Sequence, residues 1–533
     1  MMKKLNLDWN LSYPSTRKPM LGANVVATSQ PLAAQAGMRM LLSGGNAIDA
    51  AVAAAIALTV VEPTMNGIGG DAFAIVWDGN NLHGLNASGR SPSAWRFDMF
   101  SGLDEMPAMG WQSVTVPGAV SSWVELSKTF GNLRFGDLFL PAIEYAKNGF
   151  PVSPFVSATW AQVAEKYRDS ESFVKTFLPG GRAPSTGEWF RNTDQVETLV
   201  DIAESFGESF YKGRLAELIA GWAGQTGGLL TKDDLAAHRA EWVKPLSIDY
   251  GDYTLHELPP ANQGLAALLA LGILKHTPIS EMHPDSADSL QLQIEVMDRA
   301  ISIVRAEVAD SAHMRVSAES LLEDARLREL ALTLGMGKGS RSDSSAKRRE
   351  GDTVYLTVAD AQGMMVSLIQ SNYFDFGSGI VIPDTGISLH SRAACFSLEE
   401  GHPNAVGGGK RPFHTLCPGF VTSQGAPVMS FGVMGGAMQP QGHVQTFLRV
   451  CDYGQNPQAA CDAPRWYVGS DGAVALERGR SDSVVTALRE RGRIVDVLDY
   501  GDPLFGGAQT ILALEKGYCA ASDPRKDGQA IVS

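Results

Sequence analysis

The sequence predicts a mixed α/β (α+β) fold, and three features of the chain carry this prediction. Helical periodicity with charged faces runs through residues 119–150, 196–222 and 285–334. Two runs that alternate like β-strands follow, at 353–359 and 364–370. The chain has 533 residues, of which 44% are hydrophobic and 19% charged, so it can bury a large core. We therefore expect a helix-rich first part joined to a β-rich second part.

The first predicted elements are two consecutive helices over 31–61. Ser29 is placed to cap the first helix, and a proline occupies the first turn. Gly44 and Gly45 interrupt the pattern, and an Ala-rich, almost wholly apolar run then resumes it. Because a helix that is apolar all round is packed all round, we expect the second helix to be fully buried.

A glycine-rich turn and a buried strand come next. Residues 66–71 read NGIGGD, and 73–77 form a continuous apolar run. The spacing of Gly67, Gly69 and Ala72 resembles a dinucleotide-binding fingerprint. That fingerprint follows a strand and opens a helix, whereas here the order is reversed, so we interpret the glycines as a tight turn.

The two parts of the chain are joined by residues 335–352. This segment is rich in Gly, Ser, Lys and Arg and almost lacks large apolar residues, which predicts a flexible, exposed linker. Thr353 begins the first strand after the linker, and Gly363 is the predicted turn between the two strands.

Charge and composition exclude several classes of protein. Lys and Arg number 44 against 58 Asp and Glu, and the net charge of −14 is a poor match for nucleic acid or an anionic membrane. No run of 18 apolar residues occurs, and no apolar segment typical of a secretion signal follows the first lysines. The five cysteines form no CxxC pair, and the ten histidines form no i,i+3 or i,i+4 pair. We expect a soluble, cytoplasmic protein without a metal or an organic cofactor.

The catalytic chemistry that the residues permit centres on a threonine. The sequence contains no Walker A loop, no G-x-S-x-G elbow and no H-E-x-x-H. An N-terminal threonine carries its own base, because its freed α-amine has a pKa near 8 and can take the hydroxyl proton. A flexible segment, then Thr, then a strand is the pattern this chemistry needs, and Asp352-Thr353 fits it. Many strands begin with Thr after a loop, so the pattern alone does not identify the nucleophile.

The chain resembles the γ-glutamyltransferase family of N-terminal-nucleophile (Ntn) hydrolases over nearly its whole length. The matching runs, in chain order, are GGNAIDAAVAAAIALTVVEP (44–63), NGIGGDAF (66–73), VPGAV (116–120), GDTVYLTVAD (351–360), FGSGIVIP (376–383), PNAVGGGKRP (403–412), GVMGGAMQPQGH (432–443), APRW (463–466) and ASDPR (521–525). Members of this family mature by cleaving themselves before the nucleophilic threonine. The resemblance therefore implies cleavage between Asp352 and Thr353.

This resemblance also implies an architecture. A large subunit, 1–352, and a small subunit, 353–533, would arise from one precursor and together form one structural domain. The implied fold is the Ntn-hydrolase αββα sandwich, with two stacked sheets between helical layers. A dimer of such heterodimers is compatible with the resemblance, but the sequence does not settle it.

Three catalytic roles follow from the matching motifs. Thr353 takes the place of the nucleophile. Gly435 and Gly436 match the glycine pair whose backbone N–H groups stabilise the tetrahedral oxyanion, and one such donor is commonly worth about 10²–10³ in rate. Ser371 falls where the family usually has a second threonine that supports the nucleophile, so the hydroxyl is retained.

The substrate-binding positions depart from the family pattern. Counted from the motifs, the family's Asn position is Tyr373, its Gln position is Arg392 and its acidic position is Cys395. The Ser-Ser pair after the RP motif is replaced by His414 and Thr415. These departures mean that the family's ammonium site is not carried over onto this chain.

The arginine that should bind the α-carboxylate of a glutamyl group is also displaced. Its usual place is Ser88, and Arg90 lies two residues on and could take over its role. The family's carboxylate is lost at Cys395, and a guanidinium is gained at Arg392. The pocket should therefore prefer a small anion without an α-amine, because an uncompensated cation repels ammonium. This pattern resembles the cytoplasmic branch of the family, which includes oxamate amidohydrolase.

Three functions therefore remain open at this stage. The first is an autoprocessing amidohydrolase of a small anionic amide, with oxamate as the first substrate to test and Arg392 or Arg90 orienting its carboxylate. The second is a γ-glutamyl peptide (glutathione) hydrolase or γ-glutamyltransferase, which the lost amine-binding groups disfavour. The third is an inactive family member that serves as a scaffold, which the retained Thr353 disfavours.

Overall fold

The computed structural model describes residues 16–335 and 351–533, and its centre is a pair of seven-stranded sheets. The described strands are β1 (Met20–Gly22), β2 (Val25–Thr28), β3 (Asp71–Trp77), β4 (Leu82–Asn86), β5 (Phe150–Pro151), β6 (Trp189–Phe190), β7 (Glu241–Val243), β8 (Leu246–Tyr250), β9 (Tyr253–Glu257), β10 (Asp352–Ala359), β11 (Met365–Tyr373), β12 (Val381–Ile382), β13 (Ile387–Ser388), β14 (Gly419–Ser423), β15 (Ala426–Met434), β16 (Trp466–Val468), β17 (Val474–Glu477), β18 (Val495–Leu498), β19 (Gly507–Ala513), β20 (Tyr518–Ser522) and β21 (Gln529–Val532).

Both large sheets contain strands from the two parts of the chain. One sheet has the order β1-β20-β19-β15-β14-β9-β8, and the other has the order β21-β2-β10-β11-β3-β4-β7. All of their neighbouring strands run antiparallel. The residues before and after the predicted cleavage point are therefore interleaved in both sheets, and the helix-rich first part also supplies seven of their strands.

Helices lie between many of the strands along the chain. The described helices are α1 (Pro31–Leu42), α2 (Ala47–Val61), α3 (Ala119–Phe130), α4 (Leu140–Asn148), α5 (Pro154–Val163), α6 (Glu171–Phe177), α7 (Thr193–Glu204), α8 (Glu208–Tyr211), α9 (Arg214–Thr226), α10 (Lys232–Ala237), α11 (Leu265–Leu274), α12 (Ala287–Glu307), α13 (Ala318–Leu321), α14 (Asp324–Leu332), α15 (Met438–Phe447), α16 (Pro457–Asp462) and α17 (Asp482–Glu490). None of those in the described part of the chain combines the length and the apolar composition that a membrane crossing needs.

The two large sheets pack face to face and are covered by helices on their outer faces. Phe73, Tyr355 and Ile369 of one sheet meet Phe420 and Ile511 of the other in a fully buried core. Helices α1 and α2 cover β2 and β10 on one side, and α11 and α15 cover β8 and β15 on the other. The layers therefore follow the order helix, sheet, sheet, helix that the resemblance implies.

The first two helices confirm the prediction for 31–61, with one correction at the cap. Gln30, not Ser29, caps α1, because its side-chain oxygen accepts the N–H groups of Leu32 and Ala33. The Ser29 hydroxyl instead donates to the carboxylate of Glu62 at 2.6 Å. Every residue of α2 is buried, as its apolar composition predicts.

The hairpin of β10 and β11 places the predicted nucleophile, Thr353, at the start of a central strand of its sheet. Its turn contains Gly363 at φ 98°, as predicted. β11 also pairs with β3, so that Ser371 lies opposite Asp71. Most of the predicted linker, residues 336–350, lies outside the described residues.

Candidate active site

Thr353 is buried and its hydroxyl is already hydrogen-bonded. The Oγ1 of Thr353 donates to the Oγ of Ser371 at 3.2 Å, and that same Oγ accepts the backbone N–H of Tyr373 at 2.7 Å. The register of the hairpin shifts at this point, so that Thr353 faces two residues, Ser371 and Asn372, across the ladder. Such a bulge re-aims a side chain at the end of a strand. The structure thus brings together the two hydroxyls that the sequence analysis paired.

The glycine pair lies directly before the N-terminus of α15. Gly435 and Gly436 have φ values of 117° and 54°, which an L side chain rarely adopts. The side-chain amide of Gln263 donates to the carbonyl of Gly436 at 2.8 Å and to that of Thr415 at 2.6 Å, which fixes the Gly436 carbonyl. Backbone N–H groups at a helix N-terminus carry a partial positive charge, and they suit a developing oxyanion.

Two cavities meet at this glycine pair. The smaller, about 10 Å³, has room for one water molecule and is lined by Thr353, Gly435 and Lys526, among others. The larger, about 1120 Å³, is lined by Tyr373, Thr415, Gly436 and 23 further residues that include a mostly apolar wall of α12.

Gly351 borders both cavities, two residues before Thr353. A Cβ at Gly351 would lie 3.1 Å from the Cα of Gly436 and 3.3 Å from the ring of Tyr373. The uncleaved chain therefore passes between the glycine pair and Tyr373, and it fills the space between them.

Arg392 lies just behind the wall of the larger cavity and is fully buried. Its Nη1 donates to the hydroxyl of Thr415 at 2.7 Å and lies 3.9 Å from the sulfur of Cys395. Its guanidinium carbon sits 4.4 Å from the centre of the Tyr373 ring. All three contact residues line the larger cavity, whereas the Nε and Nη2 of Arg392 have no hydrogen-bond partner among the described residues.

Tyr373 is held in an unusual backbone conformation, with φ 77°. A non-glycine residue in this region is strained, and such strain persists where the surroundings over-determine it. Here its ring packs on Phe374, at 4.0 Å between ring centres, as well as on Arg392. Tyr373 thus lies between the buried guanidinium of Arg392 and the larger cavity.

His414 does not line either cavity, unlike Thr415. Its Nε2 lies 3.1 Å from the carboxylate of Asp71, and its Nδ1 accepts the N–H of Leu416, so the Nε2 carries the proton. Burial and the nearby Arg392 guanidinium lower the pKa of His414 well below its usual value, so the ring is neutral. Of this predicted pair, only Thr415 lines a cavity in the structure.

Asp71 is the centre of a buried polar cluster that the sequence analysis missed. Its carboxylate accepts the N–H of Gly118 at 3.0 Å and lies 3.9 Å from the Nε2 of His390. Burial raises the pKa of Asp71 to about 7, although the Arg392 guanidinium opposes this rise. Burial and the same guanidinium lower the pKa of His390 to about 3. The sequence pattern predicts only a turn for the motif that contains Asp71, because nothing in its glycine spacing signals a buried acid.

Arg90 is not placed at the site. It forms an ion pair with Asp310 at 2.8 Å, and it lines neither cavity. The family's arginine position, Ser88, is also occupied differently, because the Nε of Arg411 donates to the Ser88 carbonyl at 3.0 Å. Of the two predicted carboxylate-binding arginines, the structure brings only Arg392 beside the larger cavity.

The arrangement is that of an N-terminal-nucleophile hydrolase before cleavage. A threonine hydroxyl, a supporting hydroxyl and two positive-φ glycines at a helix N-terminus converge at the first strand after a linker. These groups can attack a carbonyl and stabilise the resulting oxyanion without a metal ligand. The described residues contain no cluster of three or more His, Cys, Asp or Glu that could hold a metal ion.

Comparison with known proteins gives the same class and defines the family. A sequence profile described as gamma-glutamyltranspeptidase matches residues 33–533. The glutathione hydrolase-like YwrD proenzyme of Bacillus subtilis (strain 168) is 36% identical over 524 residues, which cover 96% of this chain and 99% of that protein. The oxamate amidohydrolase proenzyme of Klebsiella pneumoniae subsp. pneumoniae is 36% identical over 513 residues, with 94% and 96% covered.

A solved structure matches along the full length of both chains. The crystal structure of cephalosporin acylase from Bacillus halodurans superposes with a TM-score of 0.95 at 44% identity, and the match covers 99% of each chain. The chain belongs to the gamma-glutamyltranspeptidase family. It is a proenzyme of the Ntn amidohydrolase type.

Proposed function

We propose that this proenzyme cleaves itself before Thr353 and then hydrolyses linear amides whose acyl part carries a carboxylate. Oxamate, which would give oxalate and ammonia, is the first substrate to test. The Thr353 hydroxyl attacks the amide carbon while its own α-amine takes the proton and passes it to the leaving amine. The N–H groups of Gly435 and Gly436 bind the oxyanion, and water then releases the acid from the Thr353 ester.

The observation that carries this proposal is the buried guanidinium of Arg392. A cation without a counter-charge in contact is costly to bury, and two of its N–H groups lack acceptors within the described residues. A carboxylate accepts two parallel N–H bonds from a guanidinium, so an anionic ligand would satisfy both. Thr415 and Tyr373, which hold Arg392, both line the cavity that reaches the oxyanion glycine Gly436.

The same geometry disfavours a γ-glutamyl substrate. An ammonium group beside Arg392 would meet a like charge, and the family's acidic position is Cys395. The acidic residues that do line the larger cavity are solvent-exposed or half-exposed: Glu105, Asp471 and Asp496. Electrostatics therefore favours an acyl group that keeps its carboxylate and lacks an α-amine.

A second candidate is an acylase that releases a larger amine from a carboxylate-bearing acyl group. The observation that favours it is the volume of about 1120 Å³, which far exceeds what a two-carbon amide needs. Ile301, Val304 and Phe413 give this cavity an apolar wall that would suit a bulky leaving group. The similarity to the Bacillus halodurans cephalosporin acylase supports this size class.

A matched set of anilides separates these candidates. Glutaryl-anilide and γ-glutamyl-anilide differ only in the α-amine, so their ratio of kcat/KM reports the ammonium site alone. We expect glutaryl-anilide to be the better substrate. Comparing oxanilate with glutaryl-anilide reports the preferred acyl length, and comparing oxamate with oxanilate reports the preferred leaving group. A preference for γ-glutamyl-anilide would overturn the carboxylate-only reading.

Self-cleavage has to be measured before turnover. The intact mass of the purified protein should show a large chain of about 38 kDa and a small chain of about 19 kDa that begins at Thr353, their shares by length of 56.9 kDa. Thr353→Ala should remain one chain and be inactive, whereas Thr353→Ser, which keeps a hydroxyl, should cleave. Turnover by uncleaved Thr353→Ala would refute the assignment of Thr353 as the nucleophile. A wild-type chain that never cleaves would favour the third function, an inactive family member that serves as a scaffold. A cytoplasmic location and a dimer of heterodimers remain predictions.

A further inference from the structure

Lys526 has no role in the chemistry described so far, yet it lines the same small cavity as Thr353. Only 7% of its surface is exposed. The cavity has room for one water molecule, and groups that face one water from opposite sides are roughly 6 Å apart, two hydrogen-bond lengths. Among the described residues, those that line this small cavity include no Asp, Glu or Arg.

The position of Lys526 is fixed by its surroundings. Its stem packs on the start of β19, where a Cβ at Gly507 would lie 2.7 Å from the Cγ of Lys526. Its Nζ sits 3.8 Å from the centre of the Phe155 ring, a distance at which the ring attracts a cation. Its backbone follows Arg525 and Asp523, which form a buried ion pair with an N–O distance of 3.0 Å. A side chain anchored in this way cannot simply swing away from the cavity.

We propose that Lys526 is a positioning residue that keeps the α-amine of Thr353 neutral after cleavage. The proposal rests on cleavage before Thr353, which creates that amine at the wall of the cavity. An amine must be uncharged to take the hydroxyl proton, and a neighbouring ammonium disfavours a second positive charge. Lys526 would thus convert a partly protonated N-terminus into a base at neutral pH, without touching the substrate.

Other charged groups surround this corner and set the size of the effect. Glu62 at the end of α2 and Asp527 next to Lys526 are the nearby carboxylates, and burial raises the pKa of Glu62 to about 7. Asp71 lies opposite Ser371 on the strand next to β11, and His390, His414 and Arg392 surround its carboxylate. Tyr467 and Tyr373 are the titratable hydroxyls on the cavity walls. Glu62 and Asp71 favour a protonated amine when they are ionised, so Lys526 acts against both.

The α-amine can be titrated directly, without any substrate. Cleaved protein is pulsed with acetic anhydride at a series of pH values, and mass spectrometry of the small chain's N-terminal peptide gives the acetylation rate of Thr353. The midpoint of rate against pH is the amine pKa. We expect the wild-type midpoint to lie at least about one unit below the ordinary value near 8, and to return to it when the chain is unfolded in urea.

Variants at position 526 assign the effect to its charge. Lys526→Met, which keeps the stem, should raise the midpoint by about one unit or more, whereas Lys526→Arg should keep it low. Arg90→Met should leave the midpoint unchanged, because Arg90 pairs with Asp310 and lines neither cavity. Equal midpoints in wild type and Lys526→Met would overturn the proposal. So would a folded wild-type midpoint equal to the unfolded one, whatever the variants do.

These outcomes are separate from those of the proposed function. A chain that never cleaves defeats the proposed function and shows it in the mass before any labelling. A cleaved chain that ignores oxamate and the anilides leaves the amine titration intact. The failure of the Lys526 proposal can therefore be told apart from the failure of the proposed function.

Discussion

Replacing Arg392 by methionine should abolish anion binding at almost no cost in stability. A buried arginine that serves the fold is paired, and breaking a buried pair costs about 3–5 kcal/mol. Arg392 instead keeps two buried N–H donors without acceptors among the described residues. Its removal is therefore expected to affect the ligand and not the folded state.

The magnitude follows from the contacts of the guanidinium. Each buried unpaired donor costs about 1–3 kcal/mol, so methionine returns about 2–6 kcal/mol to the free energy of unfolding. The lost bond to Thr415 and the lost contact with the Tyr373 ring together cost about 2–5 kcal/mol. The middles of the two ranges, about 4 and about 3.5 kcal/mol, nearly cancel, so we expect a net change in the free energy of unfolding close to zero.

Denaturant unfolding of the cleaved protein with and without a product anion measures both effects. Oxalate or glutarate at 100 times its Kd should raise the free energy of unfolding of wild type by about 2.7 kcal/mol. In Arg392→Met this stabilisation should vanish. Arg90→Met is the matched control, because Arg90 pairs with Asp310 and lines neither cavity. It should lose stability and keep the full response to the anion.

Two results would refute this reasoning. A loss of 3 kcal/mol or more in Arg392→Met, without any anion present, would mean that the guanidinium has a structural partner. A response to oxalate and glutarate that survives in Arg392→Met but disappears in Arg90→Met would transfer the carboxylate site to Arg90.

Three further changes test the neighbouring groups. Gly436→Ala should slow cleavage at least about tenfold on a gel time course, because its Cβ would lie 2.9 Å from the nitrogen of Gly351 at φ 54°. Cleavage at the wild-type rate would show that this close contact and this backbone conformation do not constrain the cleavage step. Asp71→Asn should stabilise the protein at pH 8 more than at pH 5. Because the pKa of Asp71 is raised to about 7 in the folded chain, the folded chain binds more protons than the unfolded one between about pH 4 and 7. The free energy of unfolding of the wild type therefore falls across that window by up to about 4 kcal/mol, and the neutral asparagine avoids this loss. An equal effect at both pH values, read from denaturant midpoints, would contradict that ionisation. Cys395→Asp should place a carboxylate near the Nη1 of Arg392 and remove the stabilisation by oxalate; an unchanged anion response would show that the two side chains do not compete.

The sequence was sufficient for the hairpin that brings Thr353 and Ser371 together, whereas their proposed roles as nucleophile and support come from the family resemblance. Alternation in 353–359 and 364–370, with a glycine turn between them, predicts a hairpin whose register brings Thr353 close to Ser371. Local pattern decides such a contact because the two residues lie on adjacent strands of one hairpin. The fully buried α2 was predictable for a similar reason, since it has no polar face to expose.

The polar surroundings of the site were not predictable in this way. Arg392, Thr415 and Asp71 come from separate loops and a distant strand, and only the packed tertiary structure brings them together. Charged residues are usually exposed, so composition favours a solvated Arg392 over a buried one. His414 was assigned to the substrate by position, but its neighbour Thr415 is the one that reaches the cavity.

If Thr353 is the nucleophile as proposed, the position of Gly351 gives the uncleaved chain a second reason to be inactive. Before cleavage Thr353 has no free amine to act as its base, and this alone would block hydrolysis. Gly351 in addition fills the space between Gly436 and Tyr373, where the acyl group would have to span from the oxyanion site toward Arg392. A side chain at 351 would be tight against both walls, because its Cβ would lie 3.1 Å from the Cα of Gly436 and 3.3 Å from the Tyr373 ring. The same few residues therefore withhold the α-amine of Thr353 and fill the space for the acyl group. Cleavage before Thr353 would create the amine and would free the chain end that carries Gly351.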